Sequence, residues 1–343
     1  MEPAHGEEGV LAGENLLDKL SAEDRARLFA PGRSREYAAG EVVIRQGAPG
    51  DCLFVIEEGE VAVVRALPGD DEKVLMTARA GMLLGELAVL DGGARAASLR
   101  ALRRSVLRTI PLGAFEAATL HGGESGHRIL RAVAALVHDR LHAVRTAVAA
   151  QLALPRASLA AGQALEWSPA RADVTDLLPI LSAFAGLDRM DREAMMPRVA
   201  IATVARGADL VFPEEEGAGA IVVLRGALSP WLDDDHGPEV TMPAIGPGGF
   251  VDYAAALGLG AEPRRFRARS PTRLVRLDRE LFSPADPASA RLLYALSRDL
   301  ATTLRRATGL AMHFEMAWAR EARRPSARAS ASPATTQRIP LGD

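Results

Sequence analysis

The stretch GELAVLDGGARAAS, residues 85–98, sets a glycine and a carboxylate at one end of an apolar run and an arginine ten positions after the glycine. Gly85 removes a side chain, so a ligand can approach the backbone closely. Glu86 only accepts hydrogen bonds and suits a hydroxyl donor such as a sugar 2′-OH. Arg95 carries a permanently charged fork that fits phosphate oxygens better than a lysine does. Between them Leu87–Leu90 can form a short helical turn whose free N–H groups favour an anion. One acceptor for a ribose, one cation and several amides for a phosphate describe a site for a ribose phosphate. The plainer reading is an internal barrel turn that holds no ligand.

Other chemistry-bearing residues are weaker candidates. His138 and His142, in HDRLH, have zinc-helix spacing, but no third ligand is evident, and they read as a solvated helix flank. His121 and His127 are isolated. No serine–histidine–acid arrangement follows from spacing, so no enzyme activity is expected. RRFRARSPTRLVRLDR (264–279) reads as an exposed strand face rather than a nucleic-acid patch, and no helix–turn–helix pair follows either half. Arg323-Arg324-Pro325-Ser326 and Arg103-Arg104-Ser105 resemble basic phosphorylation sites. The second reads as buried strand.

The elements that must position the 85–98 stretch repeat along the chain. Residues 14–30 look helical, with Ser21 as N-cap. From Tyr37, short β-branched runs broken by Gly, Pro and Asp suggest a compact barrel or jelly roll, with 67–74 as a hairpin loop. Residues 126–151 return to helical spacing through Leu130, Val133, Val137, Leu141, Val144 and Val148. A Pro/Ala/Ser-rich segment, 154–175, reads as a linker. The pattern then restarts. Gly40 and Gly207, Gly50 and Gly217, Gly59 and Gly226, Gly81 and Gly248, and Phe115 and Phe282 are each 167 positions apart, which indicates two copies of one domain. A second long helix is expected at about 288–318.

Composition narrows the class. The chain has 343 residues, 48% hydrophobic and 25% charged, with a net charge of −3, so no global field favours nucleic acid or an anionic membrane. Cys52 is the single cysteine, which excludes an intramolecular disulfide and a cysteine-cluster zinc site. Neither a signal peptide nor a membrane span is read, and a cytoplasmic location is expected.

Gly85-Glu86-Leu87-Ala88 followed by Arg95-Ala96-Ala97-Ser98 resembles the phosphate-binding cassette of the cyclic nucleotide-binding domain. AAGEVVIRQGAPGDCLFVIEEGEVAVV resembles that family's opening strands. The family includes the regulatory subunit of cAMP-dependent protein kinase, the catabolite activator protein and cyclic-nucleotide-gated channels, and the resemblance covers about residues 14–150. It implies that Glu86 binds the ribose 2′-OH and Arg95 the cyclic phosphate, with Gly85, Leu87, Ala88, Ala96 and Ala97 lining the site. Cyclic GMP-selective members often carry threonine where Ala96 stands, so Ala96 leans toward cAMP.

The second copy carries Asp252, Tyr253, Ala255 and Glu262 at the matching positions. It is expected to be degenerate, although a one-residue slip would set Asp252 at the ribose and Arg264 or Arg265 near the phosphate. The arginines of residues 1–36 lack the basic inhibitory pattern that kinase regulatory subunits carry before their first domain.

The fold expected is therefore mainly β with flanking helices (α+β): two tandem cyclic-nucleotide-binding jelly-roll barrels. The layout is a flexible N-terminus (1–13), an intact first domain (14–153), the linker (154–175), a degenerate second domain (176–320) and a disordered tail (321–343). The function expected is a cyclic nucleotide receptor without a cofactor. Its ligand is cAMP or cGMP, which is expected to draw the helix after the first barrel (126–151) over the base and so control a protein partner of unknown identity; a homodimer is left open. The rival readings are a ligand-free interaction scaffold and a DNA-binding regulator.

Overall fold

Asn15 accepts the Leu17 N–H and opens a helical turn, Leu16–Lys19, and Ser21 and Asp24 form a reciprocal capping box on α1 (Ala22–Phe29), so the expected N-cap is present. These features come from a computed structural model that describes residues 15–67, 71–151, 165–170, 174, 178–212, 218–232, 240–241, 244–259 and 264–322. The tail motif Arg323–Ser326 and Glu262 lie outside the described residues.

Eight strands follow α1: β1 (Arg33–Tyr37), β2 (Val42–Ile44), β3 (Cys52–Glu58), β4 (Glu60–Ala66), β5 (Glu72–Arg79), β6 (Leu83–Leu84), β7 (Ser98–Ala101) and β8 (Ser105–Pro111). They form two antiparallel four-stranded sheets, ordered β1-β8-β3-β6 and β2-β7-β4-β5. Inward side chains such as Ile56, Val61, Leu99 and Leu107 fill the space between them, the alternation that a half-buried sheet requires. The short helix α2 (Glu86–Asp91) interrupts the run between β6 and β7. Beyond β8 come α3 (Leu112–Leu120) and the long α4 (Gly123–Gln151).

The second copy rebuilds the same order. Its elements are β9 (Ser168–Pro169), α5 (Arg189–Met195), β10 (Val199–Val204), β11 (Asp209–Phe212), β12 (Ala218–Arg225), β13 (Leu228–Leu232), β14 (Val240–Thr241), β15 (Phe250–Asp252), α6 (Ala254–Leu257), β16 (Arg264–Ala268), β17 (Thr272–Asp278) and α7 (Ser289–Ala322). The sheets run β15-β12-β17-β10-β9 and β11-β16-β13-β14. Apart from β9, every neighbour matches a first-copy neighbour. Gly59 and Gly226 both hold a left-handed φ, 98° and 91°, with Ser105 or Thr272 packed where a Cβ would sit, so the spacing kept them as glycine. Ser168 and Pro169 pair with β10, so the segment read as linker contributes an edge strand to the second barrel.

The copies meet through α4 and α7. One apolar cluster runs through both helices, α1, α3 and the inner helices of the second copy, and includes Val133, Val137, Leu141, Leu293, Leu296 and Leu300. His138 is buried, with Nδ1 3.3 Å from the Tyr253 hydroxyl. That corrects the expectation of a solvated flank, because a second domain covers this side of α4. His142 is exposed as expected. Arg264–Asp278 forms two strands with a bend between them, and Leu274, Val275 and Leu277 are buried. Ser105 is fully buried and bonds the Glu60 carbonyl at 3.1 Å. No described helix is long and apolar enough to cross a membrane.

Candidate ribose-phosphate site

Gly85 precedes α2 with φ 82°, a conformation that costs an L-residue about 1–2 kcal/mol. A Cβ there would also lie 2.7 Å from Arg95 Nη1. Glycine is thus required twice, once by the backbone and once by the guanidinium beside it. Arg95 is buried and spans the floor of the site. Nη1 donates to the carbonyls of Cys52 (2.8 Å) and Gly85 (3.1 Å), and Nη2 donates to Asp51 Oδ1 (3.2 Å). The Phe54 ring lies 5.9 Å from the guanidinium carbon. Burial pushes the neighbouring Cys52 thiol up to about 11, so it stays neutral beside the cation.

Glu86 begins α2 and is 3% exposed. Its Oε1 pairs with Nη1 of Arg140, which reaches over from α4, while Arg140 Nη2 donates to the Leu83 carbonyl at 2.8 Å. The two side chains are 5% and 4% exposed. Burying a carboxylate this deep is costly without a partner, and Arg140 supplies one. Arg140 Nε is buried without a hydrogen-bond partner among the described residues.

All seven residues named from the sequence, Gly85, Glu86, Leu87, Ala88, Arg95, Ala96 and Ala97, line one cavity of about 70 Å³. Of its remaining walls, only the cover by the 126–151 helix is expected from the sequence. Val63, Leu75, Met76 and Leu99 give it an apolar side from β4, β5 and β7, and Arg140, Leu304, Arg305 and Thr308 come from α4 and α7. Arg305 grips the end of α2, donating to Asp91 Oδ2 (2.6 Å) and Oδ1 (2.9 Å) and to the Ala94 carbonyl (2.7 Å). The arrangement offers a buried acceptor at one end, a buried cation at the other and an apolar wall between. Among the described residues no cluster of His, Cys, Asp and Glu could hold a metal ion.

The second copy keeps the turn and changes the chemistry. α6 ends in Gly258, as α2 ends in Gly92, both at φ 68°. Tyr253 stands where Glu86 does and is 3% exposed. Arg131 of α4 donates to the Leu257 carbonyl at 2.8 Å. Arg265 pairs with Asp209 across β11 and β16 (3.4 Å).

Residues 34–120 match the cyclic nucleotide-binding domain. A cAMP-dependent protein kinase regulatory subunit from Mycosarcoma maydis is 41% identical over 86 residues, 25% of this chain and 16% of that protein. Glutaminase 1 from Bradyrhizobium diazoefficiens is 37% identical over 131 residues, 38% of this chain and 21% of that protein. The chain thus spans about a fifth or less of the length of one of these curated relatives and 21% of the other. Among solved structures, the regulatory domain of Toxoplasma gondii PKA with cAMP aligns over 89% of this chain and 92% of its own at 16% identity, with a TM-score of 0.28. With the two-sheet barrel and the interrupting α2 already described, the match over 34–120 makes the first barrel a member of the cyclic nucleotide-binding domain family.

Proposed function

We propose that this chain is a cytoplasmic cAMP receptor with one ligand site, in the first barrel, and that binding repositions the α4–α7 helix pair to control a protein partner. The observation that carries the reading is the convergence of Glu86, Arg95 and the 85–97 backbone on one cavity. In this reading the ribose 2′-OH donates to the Glu86 carboxylate, whose Oε1 Arg140 already holds. The cyclic phosphate takes the Arg95 guanidinium, and the purine lies against the apolar strands and the Leu304–Thr308 face of α7.

The cavity of about 70 Å³ is well below the roughly 300 Å³ at which small-molecule sites begin. Entry of a nucleotide therefore requires α4, α7 or both to move. A ligand shifts such an equilibrium by its differential affinity for the two helix positions. Ala96 carries no hydroxyl for a guanine amino group, which supports cAMP over cGMP.

The test is isothermal titration with cAMP and cGMP on the wild-type chain and on Arg95→Ala. One cAMP site per chain is expected. In Arg95→Ala, affinity should fall at least about tenfold, from charge-assisted bonds of about 1.5–3 kcal/mol. Unchanged affinity in Arg95→Ala overturns the site. Two sites overturn the degenerate second copy. A folded chain that binds neither nucleotide supports the scaffold reading instead.

A further inference from the structure

A second cleft, of about 470 Å³, lies where α7, the 244–249 loop and Arg145 of α4 come together. It is separate from the 252–258 turn that matches the first copy's cassette. One face of α7 forms its long wall, with Arg298, Thr302 and Arg306 on successive turns and Asp299 and Thr303 beside them. The glycine-rich loop 244–249 faces that wall, and Arg145 of α4 closes one side.

The charge balance of the cleft is uneven. Three guanidinium groups face it, against one carboxylate. Asp299 already accepts the Phe250 N–H at 3.1 Å, and burial pushes its carboxyl up to about 6. Arg306 and Arg145 attract the single Asp299 carboxyl, which leaves the cleft with more guanidinium than carboxylate groups, and Arg298 and Arg306 come within 4 Å of no carboxylate among the described residues. Like charges gathered around a concave polar space repel one another unless an anion joins them. The volume falls within the roughly 300–1,000 Å³ of small-molecule sites. Guanidinium forks match phosphate oxygens in pairs, and Thr303 and Ser182 add hydroxyls to the lining, while the Thr302 hydroxyl donates to the Arg298 carbonyl (3.0 Å).

The same two helices also wall the nucleotide cavity. Arg305 and Thr308 face the first barrel while Arg306 faces the cleft, and on α4 Arg140 and Arg145 divide in the same way. We infer that the cleft binds a small phosphorylated anion and that its occupancy changes the nucleotide affinity of the first barrel through α4 and α7. The binding stands alone; the coupling rests on the cAMP reading above.

Pyrophosphate is the probe, titrated calorimetrically into the full chain at fixed ionic strength. The expected result is one saturable site that weakens at least about tenfold in Arg298→Gln/Arg306→Gln, with the thermal midpoint preserved. Arg95→Ala should keep it, which separates the cleft from anion capture in the first barrel. No saturable binding overturns the proposal, and so does loss in Arg95→Ala with retention in the double variant. Saturating pyrophosphate should shift cAMP affinity by about fivefold or more in the wild type and not in the double variant. An unchanged cAMP affinity overturns the coupling, while absence of cAMP binding with pyrophosphate still bound sinks the nucleotide reading alone.

Discussion

Replacing Arg140 with methionine tests whether the Glu86 carboxylate depends on the helix behind the barrel. The Glu86 and Arg140 side chains are 5% and 4% exposed, so neither can recover water when its partner is removed. Breaking one side of a pair buried this deeply costs about 3–5 kcal/mol, because the remaining charge is stranded. The Leu83 carbonyl also loses its donor. Methionine returns part of the loss by filling the volume and removing the unpartnered Nε. Glu86→Gln should cost a similar amount, since it strands the guanidinium. The double variant Arg140→Met/Glu86→Gln should cost far less than the sum, with a coupling of about 2–3 kcal/mol. Urea unfolding followed by far-ultraviolet circular dichroism reads all four proteins from their midpoints and slopes. A loss under about 1 kcal/mol in Arg140→Met, or penalties that add in the double variant, would refute the view that Glu86 and Arg140 depend on each other.

The remaining expectations follow from the same contacts. Gly85→Ala places a Cβ 2.7 Å from Arg95 Nη1 at a φ of +82°; it should lower the thermal midpoint and weaken cAMP, and a variant with both intact would mean that the turn relaxes freely. Arg305→Gln removes two bonds to Asp91 and one to Ala94, so hydrogen exchange at the 91–95 amides should quicken by about tenfold; unaltered protection would show that α7 does not hold α2. Arg128 beside Asp24 holds that carboxyl well below the usual carboxylate range. The pair therefore contributes stability that is complete above the unfolded value of about 4 and is lost as pH falls below it. Asp24→Asn should be destabilised at pH 7 and converge on the wild type toward about pH 2, a flatter acid limb in a thermal-melt series; parallel curves would assign the stability elsewhere.

The cassette was legible because its chemistry is local. Gly85, Glu86 and Arg95 sit within one turn and its exit, so their spacing alone brings them to one cavity. The repeat was legible for a similar reason, since glycines at left-handed turns such as Gly59 and Gly226 hold fixed offsets. The residues of the far walls were not. Arg140 lies 54 positions from Glu86 and Arg305 lies 214 from Asp91, and nothing in helical periodicity says which barrel a long helix crosses. The spacing of Val137, Leu141 and Val144 marks one buried face of α4. It is silent about His138 and Arg140, which are buried because a second domain and a carboxylate meet the helix on its other sides. A histidine or arginine in such a helix looks the same in sequence whether solvent or a neighbour covers it.

The two copies are joined so that each long helix rests on the other copy's turn. α4 leaves the first barrel and holds the second turn through Arg131 to the Leu257 carbonyl and His138 to Tyr253. α7 leaves the second barrel and holds the first turn through Arg305 to Asp91. The exchange is unequal. At the second turn a buried tyrosine replaces the carboxylate, so that contact needs no counter-charge. At the first, a buried carboxylate shares one oxygen with Arg140 of α4, and in the proposed complex a ribose hydroxyl donating to that carboxylate changes the electrostatics of this arginine. On the proposed reading, Tyr253 makes one end of the helix pair a fixed strut, while Glu86 makes the other end responsive to what enters the barrel. On the function proposed above, a degenerate second turn would be part of how a single ligand is read: with one end of the pair pinned, a displacement at Glu86 would pass along α4 and α7 to the cleft instead of being absorbed by a second yielding site.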